Sequence, residues 1–385
     1  MKPHAIVIGS GFGGLAAAVR LGARGYRVTV LEKLDAPGGR AYVYREAGYT
    51  FDAGPTIITA PYLFEELWQV SGRRMADDVT VKALDPFYEV RFDDGQIFKY
   101  TADLAQMRAQ IAAIEPADVP GFERFLEASK TIFATAFAEL ADQPFHELST
   151  LFAAAPDLLR LGGHRSVYSE VSRFFKSEKL RLLFSFHPLL IGGNPFTTTA
   201  YYCLIAHLER TYGVHYAEGG MGALVRGIVG LVEQHGGSIR CNTGVDKILV
   251  EKGRAVGVQL EDGSRLEADV VVSNADAATT YQKLLRDHPR RRWTDAKLAR
   301  ASYSMSLFVW YFGTSRRYDD VYHHMMVLGP RYKALLDDIF IRKHLADDFS
   351  LYLHRPTASD ASLAPPGHDA FYVLAPVPNL LSGTD

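Results

Sequence analysis

The chain has 385 residues and a mass of 42.7 kDa, which at about 150 residues per domain points to two or three domains or one large interrupted one. Hydrophobic residues make up 48% and charged residues 22%, an ordinary globular composition. The 42 basic and 44 acidic residues leave a formal net charge of −2, which excludes a broad electrostatic footprint for nucleic acid. Two cysteines, Cys203 and Cys241, exclude a disulfide framework and a cysteine-based zinc or iron–sulfur centre, and fit a reduced, cytoplasmic setting.

The N-terminus opens with Lys2 and an apolar, Ala-rich stretch that superficially resembles a signal peptide. It is cut by Gly9, Gly11, Gly13 and Gly14, which a helical secretory core avoids. AIVI at 5–8 reads as a short buried strand, GSGFGG follows at once, 15–25 reads as a helix, and Arg27–Leu31 (RVTVL) as a second buried strand ending at Glu32. This is the βαβ unit of a parallel sheet. A short amphipathic helix is expected over 62–72. Strand-like alternation covers 79–100, with Asp94-Gly95 as a hairpin turn. Residues 101–162 read as helical, with apolar spacing of three and four over 122–140, and 167–208 as helical and unusually apolar.

A second α/β stretch begins near His215. GGMGALVRGIVGLVEQHGG gives a glycine turn, a helix over 223–235 and a stop at Gly236. Strands follow at 238–241, 245–250 and 255–260, and Asp262-Gly263 turns the chain into a strand at 268–272. Segments 303–312 and 371–375 read as strands of a second sheet. The organisation expected is two interleaved domains of an α/β (α+β overall) protein. Residues 1–60 and 215–280 would form a Rossmann-like dinucleotide-binding domain. Residues 61–214 and 281–385 would form a mixed sheet and helical substrate domain, helical over about 101–214.

Gly9-Ser10-Gly11-Phe12-Gly13-Gly14 matches G-x-G-x-x-G. The first glycine permits a sharp turn out of the strand, the second lets a pyrophosphate approach the backbone at a helix N-terminus, and the last permits close helix–sheet packing. Glu32, with Lys33 beside it, stands where a carboxylate accepts from both ribose hydroxyls of an adenosine and repels a 2′-phosphate, which disfavours NADP. Downstream, Gly38, Gly39 and Arg40 offer amides and a guanidinium suited to a larger cofactor, and Gly54, Pro55 and Thr56 form a turn able to lie against a flavin ring. The thirteen histidines show no HExxH pattern, and His323-His324, beside aromatic and Met residues, reads as packing, so no metal is expected. His187, Glu209 and Tyr212 lie in or near the apolar segment and read as structural groups; no catalytic residue is assigned.

GSGFGG, Glu32, PGGRAY and FDAGPT together resemble the FAD-dependent amine oxidase and carotenoid desaturase superfamily. YVYREAGYTFDAGPTIIT, RSVYSEV, LLIGGNPF, GGMGALVRGI, VVSNAD, LFVWYFG and FSLYLHRP are similar, in order, to segments of bacterial-type phytoene desaturases, so the likeness covers essentially the whole chain. The resemblance implies FAD as cofactor. Gly9, Gly11, Gly13 and Gly14 would meet its diphosphate and Glu32 and Lys33 its adenosine side. Gly39 and Arg40 would lie near the diphosphate, Gly54, Pro55 and Thr56 would face the flavin, and the backbone of Val245 would meet the adenine. It also implies stepwise desaturation of phytoene towards neurosporene or lycopene by hydride transfer to flavin. The alternatives are another FAD enzyme of the superfamily, such as a carotene isomerase or an amine oxidase, and a non-enzymatic prenyl-lipid-binding protein of the same fold. Members of the family carry a C-terminal glycine–proline-rich segment that closes over the flavin. This chain stops at Asp385 without one, so it is expected to be a truncated fragment with weakened FAD binding.

A hydrocarbon substrate offers no polar handle, so its site is expected to be a long apolar tunnel, with 180–196 and 307–312 supplying surface. No apolar run is long enough to span a bilayer. A monotopic contact with the inner membrane is expected, through the helical region of about 145–191 with Arg160, Arg165, Arg173, Lys176, Lys179 and Arg181.

Overall fold

The structure, a computed structural model, describes residues 2–139, 155, 156 and 159–383. They divide into two compact units. The first comprises residues 1–82, 215–302 and 360–366, the second 83–214, 303–359 and 367–385.

The first unit is built on a four-stranded parallel sheet in the order Val270–Ser273, His4–Ile8, Arg27–Leu31, Ser238–Arg240. Ile6 stands opposite both Val271 and Thr29, and Val30 opposite Ile239. The central strands are continuous apolar runs because both faces are covered. Ala5, Val7, Val28 and Val30 enter a core with Leu15 and Val19 of the helix Phe12–Ala23 and Leu224, Ile228 and Leu231 of the helix Met221–Gln234. Ile6, Ile8 and Leu31 point the other way, against Val258, Leu260 and Leu284. That second face is closed by an antiparallel meander, Val245–Glu251, Arg254–Leu260 and Arg265–Glu267.

Two expectations change here. The turn at Asp262-Gly263 joins Arg254–Leu260 to Arg265–Glu267 rather than to a strand at 268–272. The chain then leaves the meander, and Val270–Ser273 joins the parallel sheet. The crossing is pinned by two bonds, from Asp269 N–H to the His4 carbonyl (2.8 Å) and from His4 N–H to the Asp269 carboxylate (2.7 Å). The second change concerns the helix Pro61–Gln69, which the domain boundary at 60 assigns away from the nucleotide-type pieces. It buries Leu67 and Trp68 in the same core as Val19 and Ile228, so it belongs to the first unit.

The second unit carries a six-stranded mixed sheet in the order Ser306–Thr314, Asp369–Val377, Leu351–His354, His324–Val327, Tyr88–Arg91, Ile97–Tyr100. All pairs are antiparallel except His324–Val327 with Tyr88–Arg91. The Asp94-Gly95 hairpin forms as its sequence requires, with Gly95 at φ +84° and its N–H bonded to the Phe92 carbonyl at 3.0 Å. Helices Leu104–Ile114, Val119–Ile132, Glu178–Ser185 and Leu204–Tyr212 accompany the sheet. Their shared core is aromatic. Phe184 lies within ring contact of Phe98, Phe122, Phe125 and Phe175, and stacks on the last at 4.7 Å between centroids.

Trp68 is fully buried and its indole N–H donates to Asp78 at 2.6 Å. Trp68→Ala is therefore expected to lower the unfolding free energy by about 3–5 kcal/mol, read as a shift in the urea midpoint.

Candidate functional site: the glycine elbow

The strand His4–Ile8 ends in a turn whose backbone conformation favours glycine. Gly9 adopts φ +90°, and its N–H bonds to the Leu31 carbonyl at 2.8 Å. A Cβ on Gly14 would lie 2.1 Å from the Gly9 carbonyl oxygen, so the helix Phe12–Ala23 packs against its own strand only because residue 14 is glycine. Gly11 is the N-cap, and the helix receives no hydrogen bond from a capping side chain. An uncapped N-terminus at the carboxyl end of a parallel strand presents backbone N–H groups and the positive end of the helix dipole.

The expected second segment folds onto this elbow. Gly38 forms a parallel bridge to Gly11, and its N–H bonds to the Ser10 carbonyl at 3.1 Å. Gly39, at φ +58°, approaches so closely that a Cβ there would sit 3.0 Å from the Gly11 Cα. Arg40 and Lys33 are exposed. The third segment follows: a Cβ on Gly54 would meet the Arg40 carbonyl oxygen at 2.4 Å. Pro55 is exposed, while Thr56 is buried. Val245 is half-buried against the cluster of Ile6, Ile8 and Leu31, and its neighbourhood is tied to Glu32 by the Thr243 N–H on the Glu32 carbonyl at 2.8 Å. The residues singled out in sequence for a dinucleotide thus lie within the first unit.

Glu32 behaves differently from the simple ribose acceptor expected. It is buried, and one carboxylate oxygen accepts from Ser10 N–H (2.9 Å) and Ser10 Oγ (2.6 Å) while the other accepts from Leu34 N–H (3.0 Å). A carboxylate has about four acceptor positions. Three are filled by the protein, so Glu32 also holds the elbow in shape.

Four residues outside the expected set complete the construction. Asn274, in the segment VVSNAD, donates its N–H to the Ile8 carbonyl at 2.8 Å. Its side chain fills the space that Cβ atoms on Gly11 and Gly13 would claim, at 2.9 and 2.6 Å. Asp52, in FDAGPT, accepts the Met221 N–H with both carboxylate oxygens at 3.0 Å, at the start of the helix Met221–Gln234. Gly220, at φ +74°, makes room for it: a Cβ there would stand 2.7 Å from either oxygen. Asp360 in turn accepts the Gly219 N–H at 2.7 Å. The pairing of FDAGPT with GGMGALVRGI has no local signature in sequence, since it joins segments far apart in the chain.

The groups noted in the apolar segment fall in the second unit. His187 and Glu209 meet at 3.2 Å, Glu209 also accepts from the Tyr88 hydroxyl, and His187 and Glu209 are buried, which is the pattern of a satisfied core network. Tyr212 ends its helix partly exposed and lies against Phe133. Leu180, Leu183, Phe184 and Phe186 are buried in the aromatic core, whereas Leu307, Phe308 and Trp310 are exposed.

Comparison with known proteins identifies the family. Residues 12–367 match the model of flavin containing amine oxidoreductases. The chain belongs to that family. Among curated relatives, a phytoene desaturase (neurosporene-forming) of Cereibacter sphaeroides is 50% identical over 380 residues, covering 98% of this chain and 73% of its own length. A phytoene desaturase (lycopene-forming) of Pseudescherichia vulneris is 49% identical over 375 residues, 97% of this chain and 76% of the relative. The chain thus belongs with the phytoene desaturases of this flavin family. A solved oxidoreductase from Methanosarcina mazei shares the fold at a TM-score of 0.67 and 17% identity, covering 99% of this chain and 81% of its own. In this chain the glycine elbow combines an uncapped helix N-terminus, a second glycine loop laid on it, and an acidic residue at the end of the second strand.

Burial pushes the Asp52 carboxyl up from 3.8 to about 6, against the pull of its backbone hydrogen bonds. The folded state then holds that proton more tightly than the unfolded chain, so raising the pH through this window weakens the fold by up to about 3 kcal/mol through this group. Asp52→Asn keeps an acceptor for Met221 and removes the charge. Its melting temperature relative to wild type is expected to be equal near pH 4 and to rise by pH 8; a flat difference across that range would contradict the assignment.

Proposed function

We propose that this protein is a phytoene desaturase that binds FAD at the glycine elbow and introduces double bonds into phytoene, yielding carotenes of the neurosporene or lycopene type. The observation that carries the reading is 50% identity across 98% of the chain to a desaturase of that kind, together with an elbow whose geometry suits an ADP moiety. When bound, the flavin accepts the hydride of a CH–CH dehydrogenation. The chain's own part is to hold and align. The N–H groups at the start of the helix Phe12–Ala23 would face the diphosphate, in an elbow of Gly9, Gly11, Gly13 and Gly14 whose missing side chains make room for Asn274 and for the helix–strand contact. Gly39 and Arg40 bracket the diphosphate from the second loop, and Arg40 supplies the charge. Glu32 uses its remaining acceptor position for a ribose hydroxyl, with Lys33 alongside. Val245 would meet the adenine through its backbone, and Gly54, Pro55 and Thr56 would approach the flavin. With a substrate that lacks polar groups, specificity comes from apolar contact and from the alignment of one allylic carbon with the cofactor.

The test is production of the protein in a bacterium that accumulates phytoene, with pigments separated by chromatography. Coloured polyenes are expected from wild type. Gly14→Ala, which drives a Cβ into the Gly9 carbonyl, is expected to give none and to purify without bound flavin. Colourless extracts from a folded, flavin-loaded wild-type protein would exclude the activity.

The membrane-surface reading keeps exposed Leu159, Leu190 and Ile191 as contact residues. Among the described residues no helix is long and apolar enough to cross a membrane. Much of the expected basic patch is already engaged: Arg165 and Arg173 pair with Glu170, Lys179 with Asp94, and Arg181 with Glu178. Part of the expected region, 145–154 with 157 and 158, lies outside the described residues. Binding is therefore expected to be carried by apolar contact and to persist at high salt, checked by flotation with phospholipid vesicles. Protein that stays at the bottom of the gradient under all salt conditions would rule the contact out.

A further inference from the structure

Three histidines meet in the second unit, remote in its sequence logic from the dinucleotide motifs. His324 and His354 stand directly opposite each other on neighbouring antiparallel strands, and His323 precedes His324 in the chain. One ring nitrogen from each falls within 4.8 Å of the others. All three residues are buried. Among the described residues, Nε2 of His324 and both ring nitrogens of His354 have no hydrogen-bond partner. Buried polar atoms are rarely left in this state, and each one calls for an occupant or an explanation.

The outer side of the cluster is organised. Nδ1 of His323 lies 2.8 Å from Ser359 Oγ, and Nδ1 of His324 lies 2.6 Å from the Tyr352 hydroxyl. When each Nδ1–H donates to its hydroxyl, the lone pair is fixed on Nε2, which is the outer-shell arrangement that orients metal-ligating imidazoles. Arg355, the cation closest in effect to His323, is itself neutralised by Asp369 at 2.9 Å and Asp319 at 3.1 Å. Burial, reinforced by Arg355, pushes His323 down to about 3, and burial holds His324 and His354 well below the usual imidazole range.

We propose that His323, His324 and His354 form a binding site for one divalent transition-metal ion of the zinc class. Three imidazoles with no carboxylate select a borderline ion such as zinc, cobalt, nickel or copper over magnesium or calcium. Metal–nitrogen bonds of about 2 Å place ligand nitrogens about 3.3 Å apart, so binding would require the rings to turn inward from their present separation of up to 4.8 Å. The ion would tie the strand Leu351–His354 to His324–Val327 at the centre of the six-stranded sheet and satisfy the orphaned nitrogens. A fourth position would remain for an exogenous ligand.

The experiment uses tag-free protein stripped with a chelator and titrated with zinc against a chromophoric competitor, then with cobalt to read ligand geometry from its visible bands. One equivalent per chain, with the intense bands of a four-coordinate site, is expected. His354→Gln and His324→Gln are each expected to weaken binding at least about 100-fold, Tyr352→Phe about 10-fold, and the distant control His207→Ala not at all. Circular dichroism and melting identify which variants are folded. Wild-type protein that takes up no stoichiometric zinc would overturn the site and leave the cluster as packed aromatic core. Uptake unchanged in folded His354→Gln would overturn it equally.

Discussion

The separation between one carbonyl oxygen and one absent carbon governs the first unit. The Gly9 carbonyl would lie 2.1 Å from a Cβ on residue 14, so strand and helix approach to a distance available only to glycine. That approach sets the helix N-terminus directly beyond the carboxyl end of the strand, where parallel α/β sheets bind ligands. The remaining parts of the elbow lean on it. Gly38 bridges Gly11, Gly39 rests on the Gly11 backbone, Gly54 rests on Arg40, and Glu32 ties Ser10 down through two hydrogen bonds. A change at residue 14 therefore propagates through four short segments between residues 9 and 54.

A second helix start is treated in the opposite way. The helix Phe12–Ala23 leaves its N-terminal N–H groups without a side-chain partner, whereas the helix Met221–Gln234 has its own filled by the buried carboxylate of Asp52. One terminus is left open and the other is closed by the protein. The contrast separates the two helix starts more sharply than the glycine pattern alone, because both helices begin with glycine-rich turns.

Much of this was readable before any coordinates. The strand 5–8, the helix after GSGFGG, the strand Arg27–Leu31 and the Asp94-Gly95 hairpin are local features, set by alternation and by residues that permit positive φ, and they appear within a few residues of expectation. Cross-chain arrangements were not readable. Val270–Ser273 leaves the meander because two hydrogen bonds to His4 draw it to the parallel sheet, and nothing near Asp262-Gly263 encodes that. Trp68 is expected in a short amphipathic helix, but the core it enters, with Ile228 and Val19, is assembled from separate segments of the unit. The double duty of Glu32 escaped notice because Ser10 occupies a variable position of the motif. His354 escaped because its relation to His324 is one of strand register.

The parallel sheet of the first unit is closed by its least local contact. His4, on the first strand made, bonds Asp269, 265 positions further on, and the strand Ser238–Arg240 that flanks the other side is also late. At the ribosome the amino-terminal strand, helix and strand emerge long before either neighbour exists. Their apolar faces and unpaired edges wait through the synthesis of most of the second unit. The wait ends when the strand carrying Val270 is released, and the second unit, four of whose six sheet strands lie at 306–377, is completed later still.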